Sequence, residues 1–265
     1  MGTRLGQNFL MNKAKLRKIA DALELKKGDT VIEIGPGRGE LTKELRIKNK
    51  ELRIIAIEKD AELIKNLEFR IKDLGLDKNI EIIEGDALKE IKNQISKIKN
   101  TDKKSKIVEN LKITGNIPYY ITGYLLRILG ELELKPSLIV LTIQKEVAQR
   151  ITAKPPKMNL LAASAQFWAE PKIIGYIPKK DFRPVPKVDS AIIKFNIKTS
   201  NVQKLKYYKL IKILFKQPRK TIFNNFCGAR NMSVDKCRKK LLKAGIDPSD
   251  RPQNLNIEQI KKLSI

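Results

Sequence analysis

The run Asn116-Ile117-Pro118-Tyr119 carries groups suited to the activation of an exocyclic amine on a planar base. Such a nitrogen is a poor nucleophile, because its lone pair is delocalised into the ring. The Asn116 side-chain carbonyl and the Ile117 main-chain carbonyl can each accept one N–H, drawing the nitrogen toward tetrahedral geometry and freeing the lone pair. Tyr119 adds an aromatic face on which an extruded base can stack. Methyl transfer to the amine fits this set, since a methylated ammonium is acidic enough to shed its proton without a dedicated base. A plain β-turn uses the same residue types, so the reading depends on what accompanies the run.

Three further elements accompany it. Glu33-Ile34-Gly35-Pro36-Gly37-Arg38-Gly39 is a glycine-rich turn, where backbone can approach a ligand without interference from Cβ. Its G-x-G-x-G spacing is not the G-x-G-x-x-G of dinucleotide enzymes, and alone it could be a tight turn with no ligand. Glu58 follows the next strand-like run, where a carboxylate can accept both hydroxyls of a ribose. Asp86, in Glu84-Gly85-Asp86-Ala87, offers an acceptor where an adenine amino group could lie. A single carboxylate at such a position is commonly a helix cap. Ligand-type residues at three successive strand ends point to an adenosine-containing cofactor.

These residues need a scaffold that brings strand ends together. β-branched runs at Thr30 to Ile34, Arg53 to Ile57, Ile80 to Glu84, Leu111 to Thr114 and Leu138 to Ile143 read as strands. Helical patterns separate them at Leu41 to Leu45, Ala61 to Leu74, Gly123 to Glu131 and Lys145 to Ile151, and Asn12 can cap an earlier helix bearing Leu16, Ile19, Ala20 and Leu23. Repeated β-α units predict a doubly wound α/β fold with a mostly parallel sheet covered on both faces. Lys89 to Lys106 breaks the rhythm and reads as a solvated helix or loop. Lys172 to Ile177 and Ser190 to Ile197 read as an antiparallel edge hairpin across the Pro-punctuated Pro178 to Pro186. From Thr199 onward only short helices are expected, with breaks near Pro218, Gly228 and Gly245. The expected domains are therefore 1–198 and a small all-α domain, 199–265.

Composition narrows the chemistry. The 265 residues include no histidine, which excludes Ser-His-Asp and Cys-His mechanisms and His-ligated zinc. No metal site is expected. Cys227 and Cys237 match no C-x-x-C pattern and read as reduced structural thiols of a cytoplasmic protein. No apolar run is long enough to span a bilayer, and the first residues show neither a signal-peptide nor a myristoylation layout. Fifty-five Lys+Arg against 29 Asp+Glu give a formal charge of +26, so a polyanion is the default partner, although a Lys-rich composition by itself could produce such a charge. Residues 199–265 hold 16 basic and 4 acidic side chains, about two and a half times the charge density of the preceding part.

Six motifs in order resemble the KsgA family of S-adenosylmethionine-dependent small-subunit rRNA adenine-N6,N6-dimethyltransferases. They are Gly6-Gln7-Asn8-Phe9-Leu10, Glu33 to Thr42, Glu58-Lys59-Asp60, Gly85-Asp86-Ala87-Leu88, Gly115-Asn116-Ile117-Pro118-Tyr119 and Phe182-Arg183-Pro184-Val185-Pro186-Lys187-Val188-Asp189-Ser190. The resemblance runs essentially end to end. It implies a seven-stranded Rossmann-like methyltransferase sheet and S-adenosylmethionine as cofactor, held by Gln7, Asn8, Leu10, Gly35, Gly37, Glu58 at the ribose, Asp86 and Ala87 at the adenine, and Asn116. It also implies a target adenine sandwiched by Tyr119 and Phe182, with rRNA contacts from Arg183, Lys187, Arg219 and Lys220. Members of the family place two methyl groups on each of two adjacent adenosines in the 3′-terminal hairpin of small-subunit rRNA during ribosome assembly. The resemblance thus leads us to expect a cytoplasmic monomer acting on immature subunits. The tail, Phe215 to Thr221 with Asn224-Asn225, resembles the family's Arg-Arg-Lys-Thr helix, and Arg251 to Leu255 its last motif. Pro218 departs from it, standing where an Arg is usual. The Tyr-Gly-x-Leu expected near Met158-Asn159-Leu160 is absent.

Three alternatives stay open at the level of sequence. Large-subunit rRNA methyltransferases of the macrolide-resistance type share the Gln-Asn-Phe-Leu and Asn-Ile-Pro-Tyr-Tyr runs. A non-catalytic RNA-binding assembly factor could keep this fold. A nicotinamide dehydrogenase would leave Asn116 and Tyr119 without a use.

Overall fold

Strands form on the β-branched runs and helices on the amphipathic segments between them. The computed structural model describes residues 7–76, 78–98, 107–198, 202–229 and 232–265. The N-terminal Met1 to Gly6 segment lies outside them. In chain order the elements are β1 (Phe9–Leu10), α1 (Lys13–Ala22), β2 (Thr30–Ile34), α2 (Glu40–Lys48), β3 (Arg53–Glu58), α3 (Ala61–Asp73), β4 (Ile80–Glu84), α4 (Ala87–Lys97) and β5 (Ile107–Asn116). Then come α5 (Thr122–Glu131), β6 (Lys135–Gln144), α6 (Lys145–Ile151), α7 (Leu160–Gln166), β7 (Ala169–Ile177), β8 (Phe182–Arg183) and β9 (Ser190–Ile197). The chain ends with α8 (Lys204–Leu214), α9 (Ile222–Cys227), α10 (Val234–Lys243) and α11 (Ile257–Ser264).

Seven strands make one sheet in the order β4-β3-β2-β5-β6-β9-β7. β2 to β6 pair in parallel, and β9 runs antiparallel to β6. All five residues of β2 are buried, as a strand covered by helices on both faces requires. The strand order reverses between β2 and β5, so the crevice for a ligand opens at their carboxyl ends. The Asn12 side chain accepts from Lys15 N at 3.2 Å and starts α1, whose Leu16, Ile19 and Ala20 pack into the core with Leu41, Leu45 and Val140. At the opposite end of the strands a buried Lys112 Nζ meets Asp29 Oδ2 at 2.7 Å and donates to Glu24 O at 2.6 Å. Removing one partner of such a pair typically costs about 3–5 kcal/mol.

The Lys89 to Lys106 stretch is helical as far as Lys97, and α4 buries Ile91, Gln94 and Ile95, so this part is a covering helix and not a solvated insertion. Residues 99–106 lie outside the described residues. β5 is longer than expected and carries a register irregularity between Val108 and Lys112. A separate two-stranded ladder, β1 with β8, pairs Phe9 with Arg183 and Leu10 with Phe182.

The chain divides into two units, Met1–Ala148 with Glu170–Ile197, and Gln149–Ala169 with Lys198–Ile265. This corrects the expectation of two contiguous segments. Residues 149–169 group with the C-terminal helices because α7 packs on α8: the Phe167 and Tyr207 rings stack at 4.1 Å, and Tyr207 Oη donates to Ala163 O at 2.9 Å. Met158 N also donates to Gln253 O at 3.0 Å. Within this unit Pro218 lies in the turn between α8 and α9, so it removes no helical hydrogen bond; Thr221 caps α9. Cys227 and Cys237, expected as reduced structural thiols, lie side by side where α9 and α10 pack, with the two Cα atoms 6.0 Å apart.

Candidate active site

A cleft lies at the carboxyl ends of β2, β3, β4 and β5, the edge at which open α/β sheets bind ligands. Its floor begins with the glycine turn after β2. Gly35 and Gly37 sit at φ +62° and +57°, a region costly for residues with a Cβ. A Cβ on Gly37 would also lie 2.8 Å from Phe9 Cε1, so the turn needs glycine for space as well as conformation. Gly35 N donates to Ile57 O at 2.9 Å, which fastens the turn to β3.

Glu58 ends β3 with only 4% of its surface exposed. Its Oε2 accepts from Gly37 N at 3.1 Å, and its Oε1 accepts from Lys59 N at 2.8 Å and Asp60 N at 3.1 Å. Three backbone donors thus hold the carboxylate in the cleft wall, where its remaining lone pairs can accept vicinal hydroxyls. Asp86 both caps and lines. Its Oδ1 accepts from Leu88 N at 2.9 Å at the start of α4, while Oδ2 stands 3.6 Å from Lys59 Nζ. The capping role weighed from sequence is therefore real, and it leaves one carboxylate oxygen and the first-turn N–H of Ala87 at the cleft.

At the end of β5, Asn116 Nδ2 donates to Asn8 O at 2.7 Å. The amide is thereby oriented, and its Oδ1 is the end left for a ligand. Ile117 N donates to Thr142 O at 2.9 Å, which fixes the Asn116–Ile117 peptide just before the Ile117 carbonyl. The Tyr119 hydroxyl lies 3.1 Å from Ser190 Oγ and 3.4 Å from Val188 O, so the ring is anchored at its far end to the start of β9.

Of the remaining expected site residues, Gln7, Asn8 and Phe182 line the cleft. Phe182 is only 1% exposed and belongs to the same apolar cluster as Leu10, so it is part of the cleft wall and not an open plate. Leu10 does not line this cleft. In β1 successive side chains alternate, which puts Phe9 in the cleft and Leu10 in the core beside a small void shared with Glu33, Gly35 and Asn116. Arg183 and Lys187 are exposed, and Arg183 Nη1 donates to Phe182 O at 2.9 Å and Lys180 O at 3.0 Å. Arg219 and Lys220 are exposed in the other unit.

Three supporting residues were not anticipated. Phe9 packs against Gly37 and lies under the Arg38 guanidinium, 4.7 Å from its ring centroid. Arg70 of α3 holds the same turn from outside, with Nη1 donating to Arg38 O at 2.7 Å and to Glu40 at 2.8 and 2.9 Å. Glu33 accepts from Thr42 Oγ1 at 2.7 Å, and full burial pushes its carboxyl up to about 7. Phe9 stands in the Gly6 to Leu10 motif, but nothing local in the sequence announces Arg70.

The family model described as Ribosomal RNA adenine dimethylase matches residues 1–265. The protein named ribosomal RNA small subunit methyltransferase A of Dehalococcoides mccartyi strain BAV1 is 37% identical over 98% of this chain and 86% of its own. Its namesake from Clostridium botulinum strain Langeland is 36% identical over 98% of this chain and 91% of its own. A dimethyladenosine transferase from Plasmodium falciparum superposes with a TM-score of 0.77 at 26% identity, covering 96% of this chain and 95% of that one. The 23S rRNA methyltransferase ErmE, at 23% identity and a TM-score of 0.73 over 97% and 98% of the two chains, shares the fold. With its glycine turn, buried Glu58 and oriented Asn116 at one sheet edge and a full-length match, the chain belongs to the ribosomal RNA adenine dimethylase family.

Proposed function

We propose that this protein transfers methyl groups from S-adenosylmethionine to N6 of two adjacent adenosines in the 3′-terminal hairpin of small-subunit rRNA, giving N6,N6-dimethyladenosine during ribosome assembly. The observation that carries this reading is the bond from Asn116 Nδ2 to Asn8 O, 2.7 Å long, which reserves Oδ1 as an acceptor at the cleft. When bound, S-adenosylmethionine supplies a methyl group activated by its sulfonium. Glu58 would accept its ribose hydroxyls, Asp86 and Ala87 N–H its adenine edge, and the Gly35 to Gly37 turn with Gln7 and Asn8 the rest. The cleft fits such a ligand, since a carboxylate held by three N–H donors stands where a diol would bind.

Asn116 Oδ1 and Ile117 O hold the two N–H groups of the target amine, turning its lone pair out of the ring plane. Tyr119, fixed through its hydroxyl, stacks the flipped base, and the Phe182 side chain closes the pocket behind it. The amine loses one proton to water for each methyl it gains. No side chain has to titrate, so the absence of histidine is no obstacle.

The relatives at 36–37% identity carry small-subunit names, which favours that substrate over the large-subunit alternative. Asn116, aligned by Asn8, speaks against a purely non-catalytic assembly factor. Exposed Arg219 and Lys220 support rRNA binding by the basic C-terminal helices. No helix among the described residues is long and apolar enough to cross a membrane, and we place the activity in the cytoplasm, in a monomer working on immature subunits. Offering the protein immature small subunits, large-subunit rRNA and free RNA with labelled cofactor, then mapping methylated adenines by reverse-transcription stops, tests the reading. Label on large-subunit adenines alone, or undiminished transfer by Asn116→Ala, would overturn it.

A further inference from the structure

Tyr119 and Tyr120 are neighbours in opposite situations. Tyr119 is half-buried and tied by its hydroxyl to Ser190 and Val188. Tyr120 lines the same cleft, yet 72% of it is exposed. The helical turn at Tyr119–Ile121 runs straight into α5, where Tyr124, four residues on, is 55% exposed. The loop leading to β9, whose Val188 O lies 3.4 Å from the Tyr119 hydroxyl, carries exposed Val185, Lys187 and Val188. Large apolar side chains gathered in solvent at the mouth of a cleft mark a contact surface, whereas singly scattered ones need no explanation.

The chemistry of the mouth selects the partner. Lys59 lines the cleft beside Asp86, exposed Lys187 precedes Val188, whose carbonyl faces the Tyr119 hydroxyl, and the chain as a whole carries +26. Aromatic rings set among cations bind unpaired nucleotides by stacking, without demanding a particular base. A base inside a duplex cannot reach such a ring, because both its faces are already stacked. We propose that Tyr120, extended by Tyr124, is the stacking platform for the unpaired nucleotide next to the target adenosine, so that the protein engages two unstacked bases at once: the target on Tyr119 and its neighbour on Tyr120. This rests on the reading above that the cleft receives a flipped adenine.

Steady-state methylation of small subunits bearing unmethylated adenosines, with S-adenosylmethionine binding measured separately, tests the platform. Tyr120→Ala raises KM for the subunits by about tenfold, Tyr124→Ala raises it less, and Tyr120→Phe behaves as wild type. Cofactor affinity is unchanged in all three. An independent arm needs no variant to fold: wild-type protein binds a synthetic RNA hairpin with adjacent loop adenosines more tightly than its twin with an abasic site beside the target, and Tyr120→Ala abolishes the difference. An unchanged KM in Tyr120→Ala, equal losses in the Ala and Phe variants, or equal wild-type binding of the two RNAs overturns the proposal. Wild-type protein that methylates no adenine would instead sink the reading beneath it.

Discussion

Asn116 Nδ2 donates to the main-chain carbonyl of Asn8 at 2.7 Å, in the cleft that the glycine turn also lines. The bond makes the two ends of the Asn116 amide unequal: one is spent on structure and the other is kept for the substrate. Asn116→Asp keeps an acceptor but cannot donate, and it sets a carboxylate oxygen against the Asn8 carbonyl. Losing the bond that orients the amide costs about 1–3 kcal/mol, so kcat is expected to fall about ten- to a hundredfold. Single-turnover methyl transfer at saturating cofactor measures it, and a variant with wild-type kcat would show that an acceptor alone suffices.

Glu58 takes three backbone N–H donors on two oxygens, which a Gln cannot do. Glu58→Gln would point an NH₂ at another donor and loosen the Gly37 turn. About 1–3 kcal/mol of lost hydrogen bonding predicts a drop of about five- to 150-fold in S-adenosylmethionine affinity, read by calorimetric titration, with a lower melting temperature in the same protein.

Glu33 gives a pH signature. Burial raises its carboxyl from 4.5 to about 7, so the folded protein holds this proton where the unfolded chain has lost it. Stability is fully present below about 4.5, falls as pH rises toward 7 and is level above, with a total change of roughly 3 kcal/mol. Glu33→Gln keeps an acceptor for Thr42 Oγ1 and removes the titration. The difference in unfolding free energy between variant and wild type should therefore grow in the variant's favour from about pH 5 to about pH 8. Urea denaturation at both values checks this, and a constant difference would refute it.

Arg219→Ala with Lys220→Ala removes two exposed cations of the second unit. Affinity for small-subunit rRNA should weaken, and the slope of log affinity against log salt should drop by about one for each phosphate that is no longer neutralised. Cofactor affinity stays as it was. A filter-binding series in salt distinguishes this from misfolding, which would lower both.

Much of the scaffold was legible because its signals are local. Thr30 to Ile34 and Ser190 to Ile197 are strands at the residues expected, since strands covered on both faces need continuous β-branched runs with turn residues at their ends. α7 escaped notice because its Leu160–Gln166 segment is short and Ala-rich, with little amphipathic contrast, and it is held by Tyr207 from a distant helix. The Cys227–Cys237 pair escaped because spacing along the chain does not reveal that two helices fold back on each other. In the candidate site the motif residues were readable and their supports were not. Phe9, Arg70 and Asn8 O act through a packing contact, a guanidinium and a main-chain atom, which leave no spacing rule behind.

The β1–β8 ladder has a consequence in time. It joins Phe9 and Leu10 to Arg183 and Phe182, and it carries Asn8, the partner of Asn116, together with Phe182, the back wall of the base pocket. A contact between such distant stretches has to wait until both have been synthesised. A chain emerging from synthesis can therefore shape its glycine turn and Glu58 early, yet it has no complete target pocket until Phe182 and Arg183 have been made and have found their place beside β1.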